Sequence, residues 1–207
     1  MTNLNKRILT SIIALPASLF FIIKGGNYIV SFLYAVLILA NFEAFSVFKR
    51  KITIIFLDIV LVISLLSLLH LRNDTASSFV LLLWVILLTV SSDVGGYTFG
   101  KVFKGPKLTK ISPNKTYAGM IGGYFSSVIC LLVIINFIDY PGTFFQLFLI
   151  TILLSTISQI GDIFVSYFKR KAKVKNTGNL IPGHGGLLDR IDGMIFAVPT
   201  LYLIELK

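Results

Sequence analysis

Four carboxylates, Asp93, Asp162, Asp189 and Asp192, each fall where an apolar run meets a stretch rich in lysine and arginine. Asp189 and Asp192 are three residues apart, so a helix places both on one face, with Arg190 on a different side. Asp162 lies within "SQIGDIFVSYFKR", at the end of another apolar run. Ionisable groups at membrane depth are costly and mark function. Three carboxylates from two neighbouring helices, Asp162, Asp189 and Asp192, make an oxygen ligand set for Mg²⁺, a hard ion that keeps part of its shell for water and phosphate oxygens. Just before Asp189, "PGHGG" provides Gly185 and Gly186, whose backbone can approach a phosphate and whose N–H groups run into a helix N-terminus. Acids for a metal, a glycine turn and lysines together are the equipment of phosphoryl or nucleotidyl transfer.

Each feature alone has a plainer reading. Asp189 with Arg190 reads as an interfacial ion pair, or Asp189 as a helix cap. "PGHGG" reads as a turn and His184 as a hydrogen-bonding support. "SPNKT" reads as a Ser-Pro turn before a capped helix. It is the constellation, four acids at one depth beside two basic loops, that favours chemistry.

The elements that must hold these residues are membrane helices. The 207-residue chain is 56% hydrophobic and 14% charged, against roughly 25% charged for a soluble domain. Its mean hydropathy is +0.88. Apolar runs near the length that crosses a bilayer, about 20 residues, recur throughout. The expected fold is an all-α polytopic membrane protein, a single transmembrane domain over 1–207. Seven spans are expected, at 8–23, 27–46, 52–71, 78–98, 117–138, 143–165 and 187–204. Residues 1–76 read as generic membrane helices, and 77–207 carry the motifs. The first span follows Lys6 and Arg7 but precedes no A-x-A cleavage site, so it reads as retained rather than as a signal peptide.

Orientation follows from the basic residues of short loops. With the N-terminus cytoplasmic, sixteen lysines and arginines lie inside and three, Lys24, Arg72 and Lys207, lie outside. The C-terminus is then external and the acids face the cytoplasm, on an inner or cell membrane. The net charge of +10 therefore speaks for topology and anionic lipid rather than for nucleic acid. Topology explains Lys49 to Lys51 fully. It explains less well the loops 99–116 and 166–186, which carry five basic residues each among Gly, Pro, Ser and Thr, a mixture suited to phosphate. Cys130 is the one cysteine, which excludes a disulfide framework. Asp74, Asp139 and Glu205 read as solvated, while Glu43 and Asp58 lie inside spans without an evident role.

The run from Ser166 to Asp192, "SYFKRKAKVKNTGNLIPGHGGLLDRID", closely resembles the signature of phosphatidate cytidylyltransferases: S-x-x-K-R, four residues, K-D, then P-x-H-G-G-x-x-D-R-x-D. "SDVGGYTFGKVFKG" and "ISPNKTYAGMIGG" resemble further family segments, so the resemblance covers about residues 90–197. It implies that phosphatidate and CTP give CDP-diacylglycerol and pyrophosphate with Mg²⁺, a second cation being compatible. It implies that Asp162, Asp189 and Asp192 hold the metal, with Lys169 and Arg170 in the catalytic group. Asp93, Ser112, Lys115, Ser166, His184, Gly185, Gly186 and Arg190 would line the substrate pocket. It also implies a homodimer. Both substrates are anionic, and metal and basic loops would offset their repulsion and stabilise charge on the leaving pyrophosphate. The second pKa of a phosphate monoester is about 6, so the attacking oxygen needs no general base.

Two positions depart from the family pattern. The family's K-D is Lys175-Asn176 here, and S-P-K-K-T-[WF]-E-G reads "SPNKTYAG". Asn176 shares its run with Lys173 and Lys175, so its side chain is expected among ammonium groups. Two other readings compete: a CTP-dependent lipid kinase of the polyprenol type, which would transfer the γ-phosphate, and an ion-coupled transporter, which would carry acids near the bilayer midplane and paired broken helices.

Overall fold

The apolar runs fold as helices in the order the sequence sets out. The computed structural model describes the chain from Asn3 to Glu205, apart from residues 74, 139, 141, 182 and 184, and describes only the backbone at residues 3–9 and 11. The helices are α1 (Asn3–Lys24), α2 (Gly26–Val47), α3 (Lys51–Asn73), α4 (Ala76–Phe103), α5 (Tyr117–Ile134), α6 (Phe144–Lys171), α7 (Leu188–Ile191) and α8 (Met194–Glu205). A 3₁₀ turn, Ile135–Phe137, prolongs α5. Among the described residues there is no strand, only two isolated bridges, Lys107 with Thr116 and Ile181 with Gly185.

Five helices, α2 to α6, are long and apolar enough to cross a membrane, and the chain reads as an integral membrane protein. The first expected span, 8–23, lies within α1, Asn3–Lys24. The seventh expected span is shorter. The expected span 187–204 divides: α7 is a single turn, Asp192 and Gly193 interrupt it, and α8 has 12 residues. At about 1.5 Å per residue α8 reaches about 18 Å, against roughly 30 Å of hydrocarbon.

Conversely, α4 and α6 have 28 residues each and overrun their expected ends by several residues. Lys101, Lys169 and Arg170 are therefore helical rather than in loops. The overrun of α6 is closed by a Schellman turn. Lys173 takes φ 60°, the Val174 amide donates to the Lys169 carbonyl and the Lys173 amide to the Arg170 carbonyl, both at 3.0 Å. This sends the chain back across the end of the bundle. Thr116 caps α5, its hydroxyl accepting from the Gly119 amide at 3.0 Å. Thr143 and Gln146 form a capping box at the start of α6.

α4 and α5 pack most closely, through glycines, as membrane helices do. A Cβ on Gly95 would lie 2.5 Å from the Gly122 carbonyl oxygen, and one on Gly119 would lie 2.7 Å from that of Gly96. Two apolar clusters fill the bundle. One surrounds Trp84, Leu82, Leu88 and Leu131. The other joins α2, α3, α6, α7 and α8 through Ala40, Ala44, Leu57, Val165, Leu188 and Ile195. This second cluster lies under the end of the bundle where the motif residues gather. Asp58 meets Asn41 of α2, whose amide donates to it at 3.0 Å.

Candidate active site

The antiparallel order of the helices brings together the last turns of α2, α4 and α6, the start of α5 and the α7–α8 junction. Lys169, on the last turns of α6, is buried at 6% exposure. Its Nζ lies 2.8 Å from Asp189 Oδ1 and 3.7 Å from Asp192 Oδ2, so one ammonium joins the two acids of the α7 turn. A buried ammonium needs such partners, and losing one costs several kcal/mol. Two turns earlier on α6, Asp162 meets Lys115 of the loop before α5, Nζ to Oδ2 at 2.5 Å. The Ser166 hydroxyl donates to Asp162 Oδ1 at 3.3 Å.

The loop 104–116 is shaped to deliver Lys115. The Leu108 amide donates to the Lys115 carbonyl at 2.8 Å and the Lys115 amide to the Ser112 carbonyl at 3.0 Å. Arg170 ties α6 to this loop, its Nε donating to the Ile111 carbonyl at 3.4 Å, and its Nη1 donates to the Val174 carbonyl at 3.0 Å. Two segments far apart in sequence are thus fixed against one helix end.

Asp93, exposed on α4, lies within electrostatic reach of Asp162, Lys115 and Arg190. Asp192 is buried and lies within electrostatic reach of Asp162, Lys169 and Asp93. Asp93, Asp162 and Asp192 form one mutually interacting group of carboxylates, and Lys115 and Lys169 reach it from two sides. Arg190 is exposed beside it. His184 lies outside the described residues.

Asp189 is engaged differently. Its Oδ1 faces Lys169, and its Oδ2 accepts from the Thr177 amide at 2.9 Å and the Gly186 amide at 3.2 Å. The turn around residue 184 is closed on itself, Ile181 and Gly185 exchanging amide bonds of 3.0 and 3.1 Å, with Gly185 at φ 93°. The amides of Gly185 and Gly186, read from sequence as phosphate donors, here stabilise the turn and Asp189. A Cβ on Gly185 would lie 3.4 Å from Asp189 Oδ2 and 3.5 Å from Asn176, so both side chains border Gly185.

Carboxylate oxygens suit a hard divalent ion, and Asp93, Asp162 and Asp192 supply them. Among the described residues no three acids already stand as a ligand set. Asp189 is held by Lys169 and two amides and Asp162 by Lys115 and Ser166, while Asp192 Oδ1 accepts from the Gly193 amide and its Oδ2 lies 3.7 Å from Lys169. The donor chemistry is of the kind magnesium takes.

One participant escaped the sequence reading. Glu43, 2% exposed on α2, accepts from the Thr177 hydroxyl at 3.1 Å and from the Leu187 and Leu188 amides at 2.9 Å each. Its signal in the sequence is only that of an acid in an apolar helix. Its partners lie 134 to 145 residues away.

The model of the cytidylyltransferase family matches residues 49–206. A phosphatidate cytidylyltransferase of Brucella suis is 40% identical over 141 residues, 68% of this chain and 52% of that protein. One of Staphylococcus haemolyticus is 41% identical over 127 residues, 61% of this chain and 49% of that protein. The chain spans about half the length of the curated relatives it matches.

Proposed function

Because this chain belongs to the cytidylyltransferase family, we propose that it transfers CMP from CTP to phosphatidate, giving CDP-diacylglycerol and pyrophosphate for phospholipid synthesis. The observation that carries the reading is the meeting of Asp93, Asp162 and Asp192 with Lys115 and Lys169 at one end of an apolar bundle. Acids and ammonium groups in contact, next to a lipid phase, suit a reaction between an anionic lipid and a nucleoside triphosphate. The two relatives are named for the same activity.

In this reading a phosphatidate oxygen attacks the α-phosphorus of CTP and the bond to the β-phosphate oxygen breaks. The electron pair leaves with pyrophosphate. Lys115 and Lys169, held by carboxylates, would turn toward phosphate oxygens and offset the repulsion of the two anions. Arg170 and Arg190 border the same space, with Ser112 and Ser166 as hydroxyl donors and His184 as a donor rather than a base. Asp162 and Asp192 would hold Mg²⁺, with Asp93 beside them. The ion supplies charge neutralisation at the pyrophosphate. Asp189 would shape the turn and orient Lys169. All seven hydrophobic segments enter the membrane in this proposal, with the site facing the cytoplasm, where CTP is made. A homodimer is part of it, tested by the mass of the detergent-solubilised protein.

The test is purified protein in mixed micelles with phosphatidate, CTP and Mg²⁺. Cytidine-bearing lipid and pyrophosphate should form in equal amounts, and EDTA should stop both. Pyrophosphate without cytidine-bearing lipid, or no product from folded protein, would refute the reading.

A further inference from the structure

We infer that Glu43, on the second helix and outside the matched region 49–206, is a positioning residue that holds the 177–188 turn in its working shape. The inference rests, for its kinetic part, on the transfer reaction proposed above. A buried carboxylate in an apolar helix costs several kcal/mol unless donors meet it. Among the described residues, the donors to the Glu43 carboxylate come from one remote segment: Thr177 Oγ1, Leu187 N and Leu188 N. The two amides open the turn of α7, so the acid also caps the element that carries Asp189 and Arg190.

The backbone is built around this acid. A Cβ on Gly178 would lie 2.7 Å from Glu43 Oε1, and one on Gly186 would lie 2.7 Å from Oε2. Glycine at both positions lets the loop close on the carboxylate from two sides. The contacts then continue in one direction. Glu43 fixes Thr177 and the 186–188 backbone, the amides of Thr177 and Gly186 hold Asp189 Oδ2, and Asp189 Oδ1 holds Lys169, which reaches Asp192. Loss of Glu43 frees the loop and leaves the aim of Lys169 unset, while the membrane packing of α2 through Ala40 and Ala44 stays as it is.

The experiment uses the full chain in detergent micelles with three variants, Glu43→Ala, Glu43→Gln and Gly178→Ala. Glu43→Ala should raise amide exchange at Leu187 and Leu188 by at least about tenfold and lower kcat by about a hundredfold, with exchange in α3 and α5 unchanged. Glu43→Gln, which keeps one acceptor oxygen, should retain activity within roughly tenfold. Gly178→Ala pushes on Glu43 from the loop and should reproduce the Glu43→Ala pattern with α2 intact. Wild-type kcat and unchanged exchange in Glu43→Ala would overturn the inference. So would a loss of protection spread over the whole molecule in both Glu43→Gln and Gly178→Ala, since that describes a merely structural acid. If Glu43→Ala yields no folded protein, the other two variants decide. If the wild-type protein forms no cytidine-bearing lipid, the proposed function fails and the exchange data alone judge Glu43.

Discussion

At the scale of residues, the acids divide by what holds them. Asp162 is held by two side chains, Lys115 and Ser166, whereas Asp189 is held by Lys169 and by two backbone amides. Asp162→Asn should lower the rate at least about a hundredfold, about 2.7 kcal/mol in the barrier, and raise the Mg²⁺ concentration needed, because an amide brings no charge to a cation. Asp189→Asn should lower the rate by a similar factor with the Mg²⁺ requirement unchanged, because it loosens Lys169 and the turn. Rates titrated against Mg²⁺ for the two variants check this; equal shifts in both would restore Asp189 to the metal. Most of these residues were legible in the sequence because acids beside basic loops at the ends of apolar runs are costly enough to need a reason. What was not legible was pairing. The Schellman turn at Lys173 sends the chain back so that Asn176 and Asp189 both border Gly185, a proximity that neighbours along the chain do not reveal. Glu43 was invisible because its partners arrive from the far end of the chain.

At the scale of elements, the site depends on α4 and α5 approaching closely enough for Asp93 and Lys115 to reach the same acid on α6. Glycines make that approach, and a methyl at Gly95 would press on the backbone oxygen of Gly122 at 2.5 Å, an atom that cannot turn aside. Gly95→Ala should therefore destabilise the protein by about 1–3 kcal/mol and lower its unfolding temperature in detergent. An unchanged unfolding temperature would mean the two helices are not in contact there. Periodic apolar runs made the helices themselves easy to read. Their ends were harder, since α4 and α6 continue as helices into basic residues that a hydropathy reading assigns to loops. The break at Asp192 and Gly193 was also hidden, because apolar residues flank it on both sides.

At the scale of the whole molecule, the seven-span reading puts sixteen lysines and arginines on the side that carries the site and three on the other. A reporter fused after Lys171 should therefore read cytoplasmic and one after Asp139 external. One at Lys207 should read external if the 12-residue α8 crosses with its neighbours; a cytoplasmic reading there would leave an even number of crossings. The central claim is that this basic, acid-lined end joins CMP to phosphatidate. The measurement that tests it most directly uses CTP labelled at either the α- or the γ-phosphate, incubated with phosphatidate and the protein, followed by counting the organic phase. The account predicts α-label in the lipid and γ-label in aqueous pyrophosphate, both lost with Asp162→Asn. Label from the γ-phosphate in the lipid would make the protein a kinase, and no lipid label from folded protein would return the intramembrane acids to ion transport; either result contradicts the account.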